Sequence, residues 1–354
     1  LSQPLIFGLI MIVRTQPVFM LTWCLLASHS VFAQVPNTFT PGAMARAEQV
    51  NENFTALDQR LAVLEPDRYS IDCSNDPQAL QVHWDTTAAN ASSHVEYAIS
   101  GTCNFDYDTW GPRSLVIRGS DPANSKIVGS FYQSGIGNYL GLFDISVVGS
   151  PDVRFEGEII RPERGATLEL VSVQLSPEAT VSAWDAFTRV YVERSYIQSA
   201  FYLWGADLSV NHAQLSDLEA HSSRVYFHGG GLLGSLSLTN SRARFQTIGV
   251  PNGESYINGA AVLYQSDIVL AATVGGRFDA LPGSSMTLEW GAMLEDISLV
   301  GSQLTIRDAS VASNQIELNL STVYAVGDTT LNYICDGASH VVGDVNNVTA
   351  QACR

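Results

Sequence analysis

Three polar residues near the middle of the chain have side chains suited to acid–base chemistry. Glu193 and Arg194 are adjacent, and His212 lies one internal repeat further along. A lyase would use a carboxylate to hold calcium against an acidic sugar and Arg194 as the base, whereas a glycoside hydrolase would need two carboxylates a few ångströms apart. Acidic residues do not recur at equivalent positions of successive repeats. We therefore favour the alternative that Glu193, Arg194 and His212 are ordinary polar residues on the outer surface.

A second group of residues suggests binding rather than catalysis. Seven aromatic residues crowd 21 positions, namely Trp184, Phe187, Tyr191, Tyr196, Phe201, Tyr202 and Trp204. The repeat pattern directs Tyr191 and Tyr196 outward, where rings stack on sugar faces or on partner proteins. With Trp204 they are the candidate ligand-binding residues, while core packing is expected to claim at least half of the seven.

Other chemistries lack their motifs. The chain has no G-x-S-x-G nucleophile elbow, and its glycine-rich segments do not fit a dinucleotide-binding loop. His212, His221 and His228 do not fall at one repeat interval, so packed or solvated histidines are favoured over a metal site. No cofactor is implied, and calcium enters only with the lyase hypothesis.

The charge balance narrows the range of partners. The chain has 18 basic and 35 acidic residues and a formal net charge of -17. Such a surface repels phosphate backbones, so nucleic acid is excluded as an expected partner.

The first 33 residues resemble a secretory signal peptide. Arg14 precedes an apolar run from Val18 to Ala27, and small residues precede a cleavage site after Ala33. An uncleaved signal anchor is the alternative, and no later segment reaches membrane-spanning length. The sequence therefore predicts a secreted or cell-surface protein without a transmembrane segment in the mature chain.

Four cysteines remain after this cleavage, and an even number in an exported chain predicts two disulfides. Three pairings are open. Pairing Cys73 with Cys103 and Cys335 with Cys353 is preferred because each pair brackets one end of the domain.

Residues 34–66 comprise a linker followed by a helix. Residues 34–42 contain two prolines and a glycine. Apolar residues then recur at steps of four and three, at Ala43, Ala47, Val50, Phe54, Leu57, Leu61 and Leu64. This heptad pattern predicts either an amphipathic helix lying on the domain or a short coiled coil that makes a homo-oligomer through residues 43–64.

The rest of the chain, residues 67–354, contains an irregular repeat. Each unit has eight successive positions: an apolar residue, an outward residue, an apolar residue, two turn residues, a small residue, an outward residue and an apolar residue. The first positions of the aligned units are Leu168, Val190, Leu208, Leu236, Leu304 and Ile316. Alternation of this kind predicts strands with one buried face, and units of about 20 residues predict a solenoid of roughly 11 coils. An antiparallel sandwich or jelly roll is the alternative, but few two-residue hairpin signals occur.

Several segments resemble bacterial right-handed parallel β-helix proteins of the pectate-lyase-like class. They are I-D-C-S-N-D-P-Q-A-L (71–80), V-E-Y-A-I-S-G-T-C-N-F (95–105) and S-L-V-I-R-G-S-D (114–121). Residues 38–57 also resemble a segment found before exported, fibre-like domains. The resemblance implies a short helix that caps the coil, and it says little about activity.

The sequence thus predicts an all-β, right-handed parallel β-helix solenoid with a short N-terminal helical stalk, a helix cap and disulfide-stapled ends. The leading functional hypothesis is a non-catalytic protein that binds a polysaccharide or a cell-surface component, or has a structural role. A polysaccharide lyase or glycoside hydrolase and a stalk-mediated, fibre-like oligomer are the alternatives.

Overall fold

The computed structural model describes most of the chain in two compact units, Leu1–Leu64 and Glu65–Arg354. The described residues are 46–64, 66–87, 94–109, 113–149, 158–246, 256–271, 273–289, 292–307, 311–331, 333–336 and 338–347. The predicted signal peptide, the linker at 34–42 and Cys353 lie outside them.

The described part of the first unit is one helix, α1 (Ala47–Leu64). Its sequence lacks glycine and proline, and Pro66 follows closely, where a proline cannot continue a helix. Two residues of the heptad pattern are exposed, Phe54 at 61% and Leu57 at 38%.

The second unit is built of parallel strands and one further helix, α2 (Ala79–Thr86). The described strands are β1 (Asp67–Asp72), β2 (His94–Asn104), β3 (Tyr107–Thr109), β4 (Ser114–Arg118), β5 (Ser125–Gly129), β6 (Phe131–Ser134), β7 (Tyr139–Phe143), β8 (Ser146–Gly149), β9 (Glu158–Glu163), β10 (Thr167–Val171), β11 (Gln174–Leu175), β12 (Thr180–Trp184), β13 (Arg189–Glu193), β14 (Tyr196–Ile197), β15 (Phe201–Trp204), β16 (Asp207–Leu215), β17 (Leu218–His221), β18 (Arg224–Leu232), β19 (Leu236–Thr239), β20 (Arg242–Gln246), β21 (Tyr256–Ile257), β22 (Ala261–Tyr264), β23 (Asp267–Leu270), β24 (Thr273–Ala280), β25 (Ser285–Leu288), β26 (Met293–Val300), β27 (Gln303–Arg307), β28 (Val311–Asn319), β29 (Thr322–Leu331), β30 (Tyr333–Cys335) and β31 (His340–Asn347). Among the described residues, no helix is long and apolar enough to cross a membrane.

These strands form three columns, named sheets A, B and C, which the chain visits in turn. Sheet A contains β1, β2, β4, β7, β10, β13, β16, β18, β20, β23, β25, β27, β29 and β31. Sheet B contains β5, β8, β11, β14 and β21, together with segments of the longer strands. Sheet C contains β3, β6, β9, β12, β15, β17, β19, β22 and β30, also with segments of the longer strands. Within the described residues every strand pair is parallel, which excludes an antiparallel sandwich.

The arrangement is a solenoid-like stack, consistent with a parallel β-helix. The fourteen strands of sheet A exceed the predicted number of about 11 coils, and at ~4.8 Å per strand they span about 60 Å. Inward residues of all three sheets, such as Leu208, Ile197 and Phe201, form one buried core.

The predicted repeat alignment is correct for part of the chain. Leu168 pairs with Val190, and Val190 pairs with Leu208, all in sheet A. Leu236 and Ile316, however, lie in sheet C, so their assignment to the same row is wrong. The reason is that all three sheets alternate inward apolar and outward residues, and this pattern does not distinguish one sheet from another.

A row of inward serines follows the corner between sheets C and A. This serine ladder consists of Ser223, Ser241, Ser266, Ser284, Ser302, Ser321 and Ser339, all buried. The Ser223 amide donates to Ser241 Oγ over 3.0 Å, and the Ser241 amide donates to Ser266 Oγ over 3.0 Å. The hydroxyls thereby satisfy amides that the tight corner leaves without a strand partner.

The N-terminal end of the stack is covered by α2, which packs against β1 and β2. Leu80 and Trp84 of this helix are buried, and the Trp84 ring meets Tyr107 edge-on at 5.3 Å between centroids. The predicted disulfide between Cys73 and Cys103 is present. Cys335 is also disulfide-bonded, to a residue outside the described part of the chain.

Candidate binding groove

The three predicted ligand-binding residues lie on three different faces of the stack. Tyr191 projects from sheet A and is 42% exposed, whereas Tyr196 projects from sheet B and is 39% exposed. Trp204 ends a strand of sheet C and is partly buried. Each coil turns through all three sheets, so residues close in sequence do not make one patch here.

The candidate catalytic residues lie in two adjacent coils, at the corner between sheets A and B. Glu193 ends β13, and Arg194 follows it with φ 46°. His212 occupies the equivalent corner position one coil later with φ 50°, and the Arg194 amide donates to the Asn211 carbonyl over 3.0 Å. The strand register thus places these three residues in adjacent coils, and their catalytic role stays a prediction.

The chemistry available at this corner is limited. Arg194 Nε lies 3.2 Å from Glu193 Oε1, so the carboxylate and the guanidinium form an ion pair. The residues paired with Glu193 in the neighbouring strands are Val171 and Asn211. Its strand partners on either side thus supply no second carboxylate for glycoside hydrolysis.

The three histidines divide between two faces. His212 and His228 are neighbours, with 6.0 Å between ring centroids, whereas His221 belongs to sheet C. Among the described residues no group of three His, Cys, Asp or Glu side chains could hold a metal ion.

The outer face of sheet A contains an open cavity of about 590 Å³, here called the sheet A groove. Two rows of outward side chains line it over five coils. The first row is Arg189, Asp207, Arg224, Arg242 and Asp267. The second row is Tyr191, Ser209, Tyr226, Arg244 and Val269.

The sheet A groove is basic in an acidic protein. Its lining contains four arginines and two aspartates, while the whole chain has a net charge of -17. A concave site of one sign on a surface of the other sign concentrates oppositely charged ligands at that site.

The two aspartates neutralise only half of this positive charge. Arg224 donates to Asp207 through Nε at 2.7 Å and through Nη2 at 2.6 Å, and this contact raises the pKa of Arg224. Arg242 Nε lies 3.4 Å from Asp267. Arg189 forms no ion pair within the described part of the chain.

The fourth arginine of the groove, Arg244, contacts a carboxylate that is not part of the groove lining. Its Nη2 is 3.7 Å from Glu289, a carboxylate that is also 3.5 Å from Arg307. Because Glu289 is shared between two arginines, Arg244 keeps part of its capacity to bind an external anion.

Two tyrosines give the sheet A groove an aromatic wall. Tyr191 and Tyr226 flank Ser209 in one row, and the small serine leaves a gap between the two rings. The Tyr226 hydroxyl donates to Gln246 Oε1 over 2.6 Å, and its ring stacks on His228 with an interplanar angle of 6°. The Tyr226 ring is therefore held by a hydrogen bond at its hydroxyl and by a ring contact on one side.

Trp204 belongs instead to an aromatic column on sheet C. Its indole stacks on Trp184 at 4.2 Å between centroids and on His221 at 5.6 Å. His221 Nε2 is 2.7 Å from Glu219 Oε1, which fixes the end of the column. Both faces of the Trp204 ring are covered, so a sugar ring can reach only its edge.

The groove arginines were missed at the sequence level, although a signal is visible. The segments R-V-Y-V (189–192), R-V-Y-F (224–227) and R-A-R-F (242–245) each place arginine directly before an apolar, outward, apolar triplet. D-L-S-V (207–210) and D-I-V-L (267–270) place aspartate at the same position. Only the strand register shows that these five residues form one row.

No protein-family model matches this chain. No curated protein and no solved structure matches it either. The geometry of the sheet A groove is therefore the basis for inferring a function.

Proposed function

We propose that this chain is an exported right-handed parallel β-helix of pectate-lyase-like architecture that binds an acidic glycan in the sheet A groove without cleaving it. The observation that carries the proposal is the basic, tyrosine-lined groove on a chain of net charge -17. The Cys73–Cys103 disulfide fits export, because disulfides persist in oxidising compartments. Right-handed winding is expected because parallel strand–crossover–strand connections almost always have that hand.

The charge pattern favours an anionic ligand. Guanidinium groups match the planar, two-oxygen geometry of carboxylates and sulfates. The exposed face of Tyr191 supplies an apolar surface for a sugar ring beside the charged Arg189. A neutral glycan would use the tyrosines but leave the excess positive charge of the groove without a partner.

The carboxylates argue against cleavage in the same groove. Asp207 is held by two hydrogen bonds from Arg224, and Asp267 is paired with Arg242. A carboxylate engaged in this way is a poor nucleophile or general base, because the arginine must first be displaced.

The test is binding to a polysaccharide panel that contains uronate, sulfated and neutral chains, with and without calcium. Affinity electrophoresis or calorimetry gives binding, and assays for reducing and unsaturated ends give cleavage. Arg189→Gln combined with Arg244→Gln should weaken binding to the acidic chains by about tenfold or more, since ~1.4 kcal/mol of lost contact is tenfold. Raising the salt concentration should also weaken it.

Arg277→Gln is the matched control, because it removes one exposed, ion-paired arginine from β24, on sheet C. It should leave glycan affinity unchanged. Failure of every acidic chain to bind would contradict the proposal. Released ends that disappear in Glu193→Gln would replace it with the lyase or hydrolase alternative.

A further inference from the structure

A second concave site lies on the outer face of sheet B. It is a cavity of about 360 Å³, here called the sheet B pocket, and its size is within the range of ligand pockets. Its floor is a row of outward side chains in register on four neighbouring strands, β5, β8, β11 and β14. That row is Lys126, Ser146, Gln174 and Tyr196. Gln198 lies two residues after Tyr196 and adds a second amide to the lining.

A turn between sheets A and B forms one wall of the sheet B pocket. Residues 119–124 connect β4 to β5, whereas only residues 194–195 connect β13 to β14. Pro122 and Ala123 of the longer turn line the pocket. The Ser146 hydroxyl donates to the Pro122 carbonyl, which holds this turn against the next coil. The pocket therefore has one closed side.

The polar side chains of the sheet B pocket keep their capacity to bind a ligand. Lys126 is the one lysine of the chain, and within the described residues it forms neither an ion pair nor a hydrogen bond. The side-chain amides of Gln174 and Gln198 likewise bond to none of the described residues. The described lining contains no aspartate or glutamate, although the chain has 35 acidic residues. The pocket thus offers two amides and one ammonium group to an incoming molecule.

These groups fit a sugar better than a peptide. A sugar hydroxyl both donates and accepts hydrogen bonds, as a glutamine side chain does, and the exposed Tyr196 ring supplies a face for a pyranose. An extended peptide binds to a sheet by adding a strand at its edge. In sheet B, β11 is already paired on both sides, with β8 and with β14, so its backbone has no edge to offer.

The lysine and the tyrosine lie at opposite ends of the row. Three strand spacings, roughly 14 Å, separate the backbones of Lys126 and Tyr196. The ammonium group therefore meets a different part of the ligand from the sugar ring on Tyr196. A carboxylate is the group that matches an unpaired ammonium there.

We propose that the sheet B pocket binds a short oligosaccharide, with a sugar ring on Tyr196, hydroxyl groups on the two glutamines and one carboxylate on Lys126. The ligand is largely neutral, since the pocket has one cation where the sheet A groove has four arginines. This second site goes beyond the proposed function and lies on a different face of the stack. The two proposals fail separately, because each site has its own variants.

The test is calorimetry with neutral tetrasaccharides of glucose, xylose, mannose and galactose, and with the same compounds carrying one uronate residue. The protein should bind at least one such pair, and the uronate form should bind more tightly. Tyr196→Ala should weaken binding of both forms about threefold to tenfold, because ring contacts contribute on that scale. Gln174→Ala combined with Gln198→Ala should weaken both about tenfold. Lys126→Gln should lower the affinity for the uronate form to that for the neutral form.

Tyr324→Ala is the matched control. Tyr324 is 41% exposed, against 39% for Tyr196, and it is outside the described lining of both sites. Its removal should leave the affinity unchanged, and Arg189→Gln combined with Arg244→Gln should leave binding of the neutral forms in place.

Three results would contradict this assignment. The proposal would be overturned if no tetrasaccharide bound at millimolar concentration. It would also be overturned if binding of the neutral forms were lost in the sheet A arginine variant but kept in Tyr196→Ala. Equal affinity of the unmodified protein for the neutral and uronate forms would overturn the role of Lys126.

Discussion

The serine ladder makes a sharp prediction at Ser241. Its buried hydroxyl accepts the Ser223 amide at 3.0 Å and donates to the carbonyls of Thr239 at 2.8 Å and Ala220 at 2.9 Å. Ser241→Ala keeps the backbone and nearly the same volume, but it leaves the buried Ser223 amide without an acceptor. The substitution thus isolates one hydrogen-bonding position in the corner.

The expected cost follows from these contacts. Removing one partner of a buried hydrogen bond costs about 1–3 kcal/mol, because the other partner stays out of water and unpaired. Ser241→Ala should therefore destabilise the coils around β18 and β20 by about 1–3 kcal/mol. The effect is local, because coils in a solenoid contact mainly their neighbours.

Amide hydrogen exchange at Ser223 is the direct assay. A loss of about 2 kcal/mol corresponds to roughly thirty-fold faster exchange, at 1.4 kcal/mol per factor of ten. The control is Ser237→Ala on β19, which is partly exposed and has no hydrogen bond from its hydroxyl to the described residues. Exchange at Ser223 that is no faster in Ser241→Ala than in this control would refute the ladder as a source of stability.

Three further predictions concern the stack itself. Gly230→Ala should lower the free energy of unfolding in urea by several kcal/mol, because at φ 76° the new Cβ would lie 2.0 Å from the Ala213 carbonyl oxygen. Gly137→Ala is the control: its φ is 84° but the space around it is open, so it should cost only about 1–2 kcal/mol. The hydrogen bond from the Arg118 guanidinium lowers the pKa of Glu96 from its ordinary value of 4.5. The stability that this contact contributes is therefore present above about pH 4.5 and is lost as pH falls through the lowered pKa. Glu96→Gln should then lower the free energy of unfolding by about 1 kcal/mol near pH 7 and by less near pH 3. Equal losses in urea unfolding at the two pH values would contradict this prediction. Reducing the Cys73–Cys103 disulfide should destabilise the first coils by about 3–4 kcal/mol, seen as lost exchange protection in α2 and β2, whereas unchanged protection there would refute it.

Local features of the fold were readable from the sequence. The inward positions at Leu168, Val190 and Leu208 follow from alternation with period two, which is a property of a single strand. The heptad spacing of α1 and the bracketing of the first coil by Cys73 and Cys103 are likewise local patterns. Each of these signals lies within about 30 residues, so no long-range register is needed to find it.

The candidate site was not readable in the same way. Tyr191, Tyr196 and Trp204 are close in sequence yet lie on three faces, because one coil turns through three sheets. Arg189 and Arg242 are far apart in sequence yet line one groove. Coil lengths vary, with 28 residues from Tyr139 to Thr167 but 17 from Asp207 to Arg224, so the sequence interval alone does not assign a strand to its sheet.

The sequence alone therefore determined which residues of a strand are buried, because the alternation of apolar and polar residues is a property of each single strand. The tertiary structure alone decided which strands stack, and with them which charges and rings share a face. The physical reason is that a parallel stack gains its hydrogen bonds between coils rather than within them. The corners between sheets determine where each coil turns. Buried serine hydroxyls accept hydrogen bonds from backbone amides at one corner, and residues with positive φ turn the chain at another.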